Sequence, residues 1–193
     1  MANKKISDLT AASAITGSEL IEVEQSSTSK YTTPADLKTY IAPQYAKISD
    51  TKSAGTAGGG FTSGAWQTRT LNTEDSDSAG IASISSNQIN LQAGTYRVRA
   101  NAPGYYCAYH KAVLYNVTDA ADTLIGSSEY SPAVGTDQAQ SQSHICGEFT
   151  IASAKAFEIR HRCTTTRGTD GFGAAVNVGV PEVYTVVEIW KVV

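Results

Sequence analysis

Hydrophobic and polar residues alternate through most of the chain after Phe61, and this period of two predicts β-strands. The alternating stretches are AWQTRTLN (65–72), NQINLQ (87–92), TYRVRA (95–100), YYCAYHKAVLYNV (105–117), HICGEFTIA (144–152), AFEIRHRCTT (156–165) and VYTVVEIWKV (183–192). Gly, Pro, Asn or Asp separates them, and no helical period of useful length intervenes. Many short strands at this spacing predict an antiparallel β-sandwich or barrel over residues 61–193.

The last of these stretches has apolar residues on both faces. Val183, Val187 and Ile189 share one face, and Tyr184, Val186 and Trp190 share the other. A sandwich strand with two apolar faces needs two covers. The opposite sheet supplies one, and another copy of the chain is the expected second. The predicted interface residues are Tyr184, Val186 and Trp190, together with Tyr115.

The first 42 residues follow a different pattern. ELIEVEQ (19–25) alternates, SSTSK reads as a turn, and YTT returns as a short strand. In TPADLKTYI, Thr33 can cap a helix and Pro34 suits its first position, so a short helix is predicted from Pro34 to Ile41. A hairpin and two helical turns cannot bury their own apolar residues, and this segment therefore needs a docking surface. The residues expected to dock are Leu20, Ile21, Val23, Leu37, Tyr40 and Ile41.

Residues 43–60 are rich in Gly, Ser, Ala and Thr, the composition of a linker. The predicted organisation is therefore an attachment module at 1–42, a linker at 43–60 and a β-domain at 61–193.

Composition excludes several classes of function. The net charge is −3 and no basic run occurs, which argues against nucleic acid as a partner. No apolar run approaches the roughly 20 residues of a membrane span, so no membrane insertion is expected. Lys4 and Lys5 are followed by no apolar segment, so no signal peptide is expected and the protein should fold in a cytoplasm.

Candidate catalytic and metal-binding residues are few. Each cysteine has a histidine nearby: Cys107 with His110, His144 with Cys146, and His161 with Cys163. The Cys-x-x-Cys spacing of zinc sites is missing, so neither a metal nor another cofactor is expected. No G-x-S-x-G signature occurs, and an enzyme is not expected. The two strand carboxylates Glu148 and Glu158 are a candidate pair for glycan cleavage.

Aromatic residues are the more informative chemistry. GYYCAY places Tyr105, Tyr106 and Tyr109 close together, and Phe172 lies in a GFG loop where it packs back or meets a partner. Such rings stack on sugars and dominate interfaces, although many tyrosines simply fill cores. We predict these four as candidate contacts with the surface of a binding partner.

Two parts of the sequence resemble known families. The stretches KISDLTAASAITGSELIEVEQ, SSTSK and TTPADLKTYI resemble an N-terminal module of tailed-bacteriophage fibre and decoration proteins. The stretches GGFTSGAWQTRTLN, LQAGTYRVRANAPGYY, HKAVLYNVTD and GFGAAVNVGVPEVYTVVEIWK resemble phage-encoded distal domains. Those domains are similar to the trimeric jelly roll of complement and tumour-necrosis-factor-like proteins. The resemblance implies a homotrimer attached to a virion by its N-terminus, with an antiparallel jelly roll facing outward.

The function that follows is that of a virion structural protein. The leading interpretation is a short trimeric fibre or spike whose jelly roll adsorbs to a host-surface receptor, glycan or lipopolysaccharide. The alternative is a head decoration protein or head fibre without receptor specificity, and a glycan-cleaving enzyme is a third interpretation.

Overall fold

The computed structural model describes residues 18, 20–25, 28–34, 44–135 and 138–192 of the 193-residue chain. The chain divides into two units, Met1–Ala42 and Pro43–Val193. In the first unit, β1 (Ile21–Gln25) pairs antiparallel with β2 (Thr28–Thr32), in a register that sets Ile21 opposite Thr32. The helix predicted from Pro34 to Ile41 lies outside the described residues beyond Pro34, and so do Leu37, Tyr40 and Ile41.

The second unit consists of two antiparallel sheets. The strands in chain order are β3 (Gln44–Lys52), β4 (Gln67–Thr68), β5 (Thr73–Ser76), β6 (Ala82–Ser85), β7 (Gln88–Leu91), β8 (Gly94–Tyr105), β9 (Ala108–Asn116), β10 (Ala121–Ser131), β11 (Gln140–Ile151), β12 (Lys155–Cys163) and β13 (Glu182–Lys191). We call the sheet with the order β10-β9-β12-β7-β6 the front sheet, and β4 pairs with its strand β12. The back sheet has the order β11-β8-β13-β3-β5. The described residues contain no helix of the length and hydrophobicity that a membrane crossing requires.

The predicted antiparallel sandwich is confirmed, and its core lies between the two sheets. In β8, Tyr96, Val98 and Ala100 are buried in this core, whereas Arg97 and Arg99 are exposed. The back sheet therefore turns one face inward and leaves the other available, as strand alternation requires.

The linker predicted at 43–60 is wrong over its first half. β3 lies inside the back sheet between β13 and β5, and its residues Ala46 and Ile48 are fully buried. The residues after β3 are also fixed to the rest of the domain, since the Gly58 N–H donates a hydrogen bond to Gly173 O at 2.9 Å. The composition was misleading because Ile48 is the one large apolar side chain at the inward positions of β3, where Ala46 is small and Asp50 is polar and also buried.

The two faces of β13 also differ from the prediction. Val187 and Ile189 point into the core and Val186 points outward, as expected. A β-bulge between Val183 and Val186 inverts the alternation of inward and outward side chains before Val186. As a result, Val183 is exposed and Tyr184 is buried. The Tyr184 hydroxyl donates to Thr56 O at 2.7 Å. The assignment of Tyr184 to an intermolecular interface is therefore wrong, because its ring is covered within the protomer.

A buried arginine connects the sheets. The backbone N–H of Arg69 donates to Ile159 O of β12 in the front sheet, at 2.8 Å. Its guanidinium reaches the back sheet, where Nε donates to Thr185 Oγ1 at 2.7 Å and one terminal nitrogen donates to Pro103 O at 3.0 Å. The other terminal nitrogen donates to Phe172 O at 2.8 Å. Arg69 therefore fixes the spacing between the sheets at this end of the sandwich.

The position of β3 determines which fragment can fold. A fragment beginning at Pro43 keeps both sheets and should melt cooperatively, whereas one beginning at Phe61 loses a strand from inside the back sheet. Burial of Ala46 and Ile48 and the pairing to β13 are then lost, a cost of several kcal/mol in a protein whose total stability is about 5–15 kcal/mol. Circular dichroism melts of both fragments test this. A cooperative transition in the shorter fragment at the temperature of the longer one would contradict the role of β3.

Candidate functional site

An exposed groove with an aromatic lining crosses the outer face of the front sheet. Its volume is about 380 Å³, and it is lined by Trp66, Tyr109, His110, Lys111, Ser128, Glu129, Arg162, Cys163 and Thr164. Trp66 is 40% exposed and Tyr109 is 67% exposed. Rings of this size are seldom left in water without a partner, so the groove is the candidate binding site. We call it the aromatic groove.

Strand register determines which residues meet in the aromatic groove. Ser128 of β10 is opposite Lys111 of β9, which is opposite Arg162 of β12. Thr68 and Gln67 of β4 are opposite Arg160 and His161, and this register brings the next residue, Trp66, level with Arg162. One transverse row therefore carries a hydroxyl, two cations and an indole.

A second row runs beside the first. Tyr130 of β10 is opposite Tyr109 of β9, and their ring centroids are 4.9 Å apart. The N–H of Tyr109 and the hydroxyl of Thr164 are 3.1 Å apart, with the hydroxyl accepting. Two exposed tyrosines, whose ring planes are tilted by 48° to each other, thus form an aromatic wall next to the cationic row.

A buried histidine pair lies beneath the groove and connects the two sheets. His110 Nδ1 is 2.9 Å from His161 Nε2, and His110 Nε2 is 2.8 Å from Ser141 Oγ in the back sheet. The His110 ring can reach Ser141 because it passes close to β8 at Gly104, which has no side chain. A Cβ at this position would lie 2.7 Å from His110 Nε2.

The hydrogen bonds assign the tautomers of this pair. The Ser141 hydroxyl donates to Tyr130 O at 3.1 Å, so it must accept from His110 Nε2–H. His110 Nδ1 then accepts from His161 Nε2–H. His161 Nδ1 is left as a bare acceptor without a partner among the described residues. Both rings are therefore neutral.

Burial keeps these histidines uncharged. Desolvation lowers the pKa of His110 to about 4, with Glu129 opposing the shift and Arg69 adding to it. Desolvation, Arg69 and His110 together lower the pKa of His161 well below 6.5. A serine next to a histidine suggests a nucleophile, but a base with such a low pKa is weak and the serine proton is already donated to a carbonyl. We assign the pair a structural role.

Two cysteines adjoin the histidine pair. Cys107 and Cys163 are buried with Phe61 and Phe172, and a hydrogen bond with Cys163 raises the pKa of the Cys107 thiol, with burial adding to the effect. Cys146 lies apart and is exposed on β11. Within the described ranges, no three His, Cys, Asp or Glu side chains are close enough together to hold a metal ion.

The structure separates the four predicted host contacts. Tyr109 lies in the aromatic groove. Tyr105 and Tyr106 are half-buried. The Tyr105 hydroxyl donates a hydrogen bond to Gln138 Oε1, and the Tyr106 hydroxyl donates one to Gly135 O at 3.0 Å. Phe172 is buried against Phe61, with ring centroids 4.6 Å apart. The prediction of Phe172 as a host contact is therefore wrong, because the GFG loop turns the ring back into the core.

The other predicted site residues occupy varied positions. Val186 and Trp190 are half-buried on the outer face of the back sheet, and Tyr115 is half-buried in the front sheet, with the Arg160 guanidinium 3.4 Å from its ring centroid. In the first unit, Leu20 and Ile21 are exposed, and Val23 lies in β1. These assignments stay predictions.

The two candidate carboxylates for glycan cleavage do not share a groove. Glu148 belongs to β11 of the back sheet and pairs with Arg97 at 3.1 Å. Glu158 belongs to β12 of the front sheet, where it is buried, pairs with Arg160 and accepts from Thr68 Oγ1 at 3.0 Å. Carboxylates on different sheets cannot flank one glycosidic bond, so this candidate pair is wrong.

Sequence reasoning missed most residues of the aromatic groove, including Trp66, Lys111 and Arg162. Alternation alone places Lys111 with Tyr109 on one face of β9. It does not indicate which residue of β12 lies opposite Lys111, because register is a tertiary property.

Comparison with solved structures agrees with the observed topology. The globular domain of zebrafish complement 1qA is 12% identical, matches 78% of this chain and 98% of its own, and has a TM-score of 0.47. Murine APRIL, in its crystal structure at pH 5.0, is 6% identical, matches 77% of this chain and 98% of its own, and has a TM-score of 0.51. No protein-family model and no curated protein matches the sequence.

This chain has an antiparallel jelly-roll fold, and murine APRIL in its structure at pH 5.0 has a similar fold. The predicted fold class is thereby confirmed. At identities this low, the likeness concerns the fold alone.

The histidine pair of the jelly roll makes stability depend on pH. Histidine in the unfolded chain has a pKa of about 6.5, whereas folding lowers the pKa of His110 to about 4. The unfolded state therefore binds more protons between these values, and stability should fall as the pH falls through this window. The expected loss is up to about 1.4 kcal/mol per pH unit for each histidine. Urea unfolding across this pH range measures the slope.

Two variants distinguish titration from general destabilisation. His161→Gln removes one titrating ring and keeps a donor for His110, so the pH slope should become shallower. Ile159→Val, on the same strand, should lower stability at every pH and leave the slope unchanged. An unchanged slope in the His161 variant would contradict the assignment.

Proposed function

We propose that this protein is a non-enzymatic homotrimeric component of a tailed-bacteriophage virion. Residues 1–42 attach it to the virion, and the jelly roll binds glycans of the host surface through the aromatic groove. The observation that carries the proposal is the pair of exposed rings, Trp66 and Tyr109, at a groove lined with hydroxyls and charges. The resemblance of both parts of the sequence to phage fibre proteins supplies the biological setting.

The lining of the aromatic groove suits a sugar. An indole and a phenol ring offer flat apolar faces for the C–H side of a pyranose. Ser128 and Thr164 place hydroxyls beside these rings for hydrogen bonds to sugar hydroxyls. The groove lies on paired strands of a sheet, so the rings are held in position before a ligand arrives and less ordering entropy is lost on binding.

The outer face of the back sheet supports self-association. Trp190 lies between Arg97 and Tyr45 in register, and the rings of Tyr45 and Trp190 are 5.3 Å apart. Val186 lies between Asn101 and Ser49 on the same face. An apolar centre with polar neighbours is the usual composition of a stable protein interface. A trimer built on this face leaves the front sheets free to bind and does not use Tyr115, which lies in the front sheet.

Attachment through the first unit is supported by its exposed apolar residues. Leu20 and Ile21 are exposed at the start of the β1–β2 hairpin. An isolated two-stranded hairpin is marginally stable in water, so a partner surface would stabilise it. We place that partner on the virion.

The interface is tested by charge insertion. Val186→Asp places a carboxylate in the proposed interface at a cost of several kcal/mol per protomer, and the trimer should dissociate. Ile125→Asp makes the same kind of change at an exposed residue of the front sheet and should leave the trimer intact. Analytical ultracentrifugation measures both, and a monomeric wild type would overturn the proposed assembly.

Glycan binding is tested by removing the rings. Trp66→Ala and Tyr109→Ala should each weaken binding to a glycan array or to host envelope fragments by at least about tenfold, because each removes a stacking surface. Ile125→Ala removes an exposed apolar side chain of the front sheet outside the groove and should bind as the wild type does. A wild type that binds virions but no glycan would favour a decoration protein without receptor specificity.

A further inference from the structure

Two cations face each other in the aromatic groove. Lys111 and Arg162 are directly opposite in the antiparallel pairing of β9 with β12. Side chains in such positions have Cβ atoms about 4.5–5.5 Å apart, and like charges there destabilise the sheet.

Neither cation is neutralised by the described part of the chain. Six ion pairs occur among the described residues, and Lys111 and Arg162 take part in none of them. Arg160, two residues from Arg162 on the same strand, shows the contrast, since its guanidinium pairs with Glu158 and lies over the ring of Tyr115.

One carboxylate lines the groove. Glu129 accepts a hydrogen bond from Ser127 Oγ at 2.5 Å and lies beyond the 4.0 Å ion-pair distance from both cations. The lining residues therefore carry two positive charges and one negative charge. A net positive groove on a chain of net charge −3 is a local feature and does not reflect the composition of the protein.

We propose that the aromatic groove binds an anionic saccharide, a sugar that carries a carboxylate or a phosphate. This inference rests on the proposed function and specifies its ligand. Lys111 and Arg162 bind the anion together, and their mutual repulsion is relieved when it is bound. Trp66 and Tyr109 stack on the sugar ring that carries the charge or on its neighbour.

The positions of the four residues fit one ligand. Trp66 is level with Arg162 across β4 and β12, and Tyr109 lies two residues from Lys111 on the same face of β9. Adjacent strands are about 4.8 Å apart and residues two apart on a strand are about 6.7 Å apart. Rings and cations therefore lie within the dimensions of one or two sugar residues. The guanidinium offers paired N–H donors that match a carboxylate or a phosphate.

The test compares polymers that differ only in charge. Polygalacturonate is compared with its fully methyl-esterified form, and phosphomannan is compared with unphosphorylated mannan. Intact wild-type protein should bind one of the charged polymers at least about tenfold more tightly than its neutral counterpart, a difference of about 1.4 kcal/mol. The pair that shows the preference identifies carboxylate or phosphate as the anion.

Variants assign the preference to the two cations. In Lys111→Met with Arg162→Met, an unbranched apolar side chain is kept at each position and the charge is removed, so the preference for the charged polymer should disappear while binding to the neutral polymer is kept. Lys155→Met removes a cation at the other end of β12, one that is paired with Asp119, and should keep the preference. A melting temperature of the double variant equal to or above that of the wild type would agree with relief of repulsion.

The failures are distinguishable. Equal binding of charged and neutral polymers by the wild type overturns the anionic ligand and leaves glycan binding in place. Binding of no saccharide overturns the proposed function as well. Competition by polyglutamate as strong as that by polygalacturonate, or full binding by Trp66→Ala, overturns the proposal, because the surface would then bind any anion.

Discussion

The jelly roll depends on a buried guanidinium that connects its two sheets. Arg69 is fully buried, and burial lowers its pKa to about 9, so it stays protonated at neutral pH. A buried charge is costly unless it is fully hydrogen-bonded. The guanidinium donates hydrogen bonds to three acceptors, which belong to β13, β8 and the loop of Phe172. In addition, the guanidinium carbon of Arg69 lies 4.1 Å from the centroid of the Phe172 ring. These contacts hold the loop and both sheets in one arrangement.

The aromatic groove also depends on buried polar groups between the sheets. His110 and Cys163 form part of its floor, and below them the hydrogen-bond chain from His161 to Ser141 again joins front and back sheets. Because each end of the chain belongs to a different sheet, a shift between the sheets would displace β9 and β12 together. The exposed rings and cations of the groove are therefore positioned by buried groups beneath them.

The two outer faces of the sandwich have different chemistry, which permits two functions at once. The back sheet carries Val186 and Trp190 among paired charges such as Arg97 with Glu148. The front sheet carries exposed rings with the unpaired cations Lys111 and Arg162. Ion-paired charges around an apolar centre suit a permanent protein interface, whereas charges without an ion-pair partner suit a reversibly bound ligand. In the proposed trimer, each face has one of these roles.

The sequence by itself determined the fold class, the inward face of β8 and the outward position of Val186, because alternation is a local property of a strand. It did not reveal β3, whose inward residues include the small Ala46 and the polar Asp50, nor the bulge that buries Tyr184. It indicated Tyr109 but not its neighbours. Trp66 directly precedes β4, Lys111 lies in β9 and Arg162 lies in β12, and only the pairing of β4 and β9 with β12 brings them into one groove. Register is set by the packing of whole sheets, and no single stretch of sequence contains it.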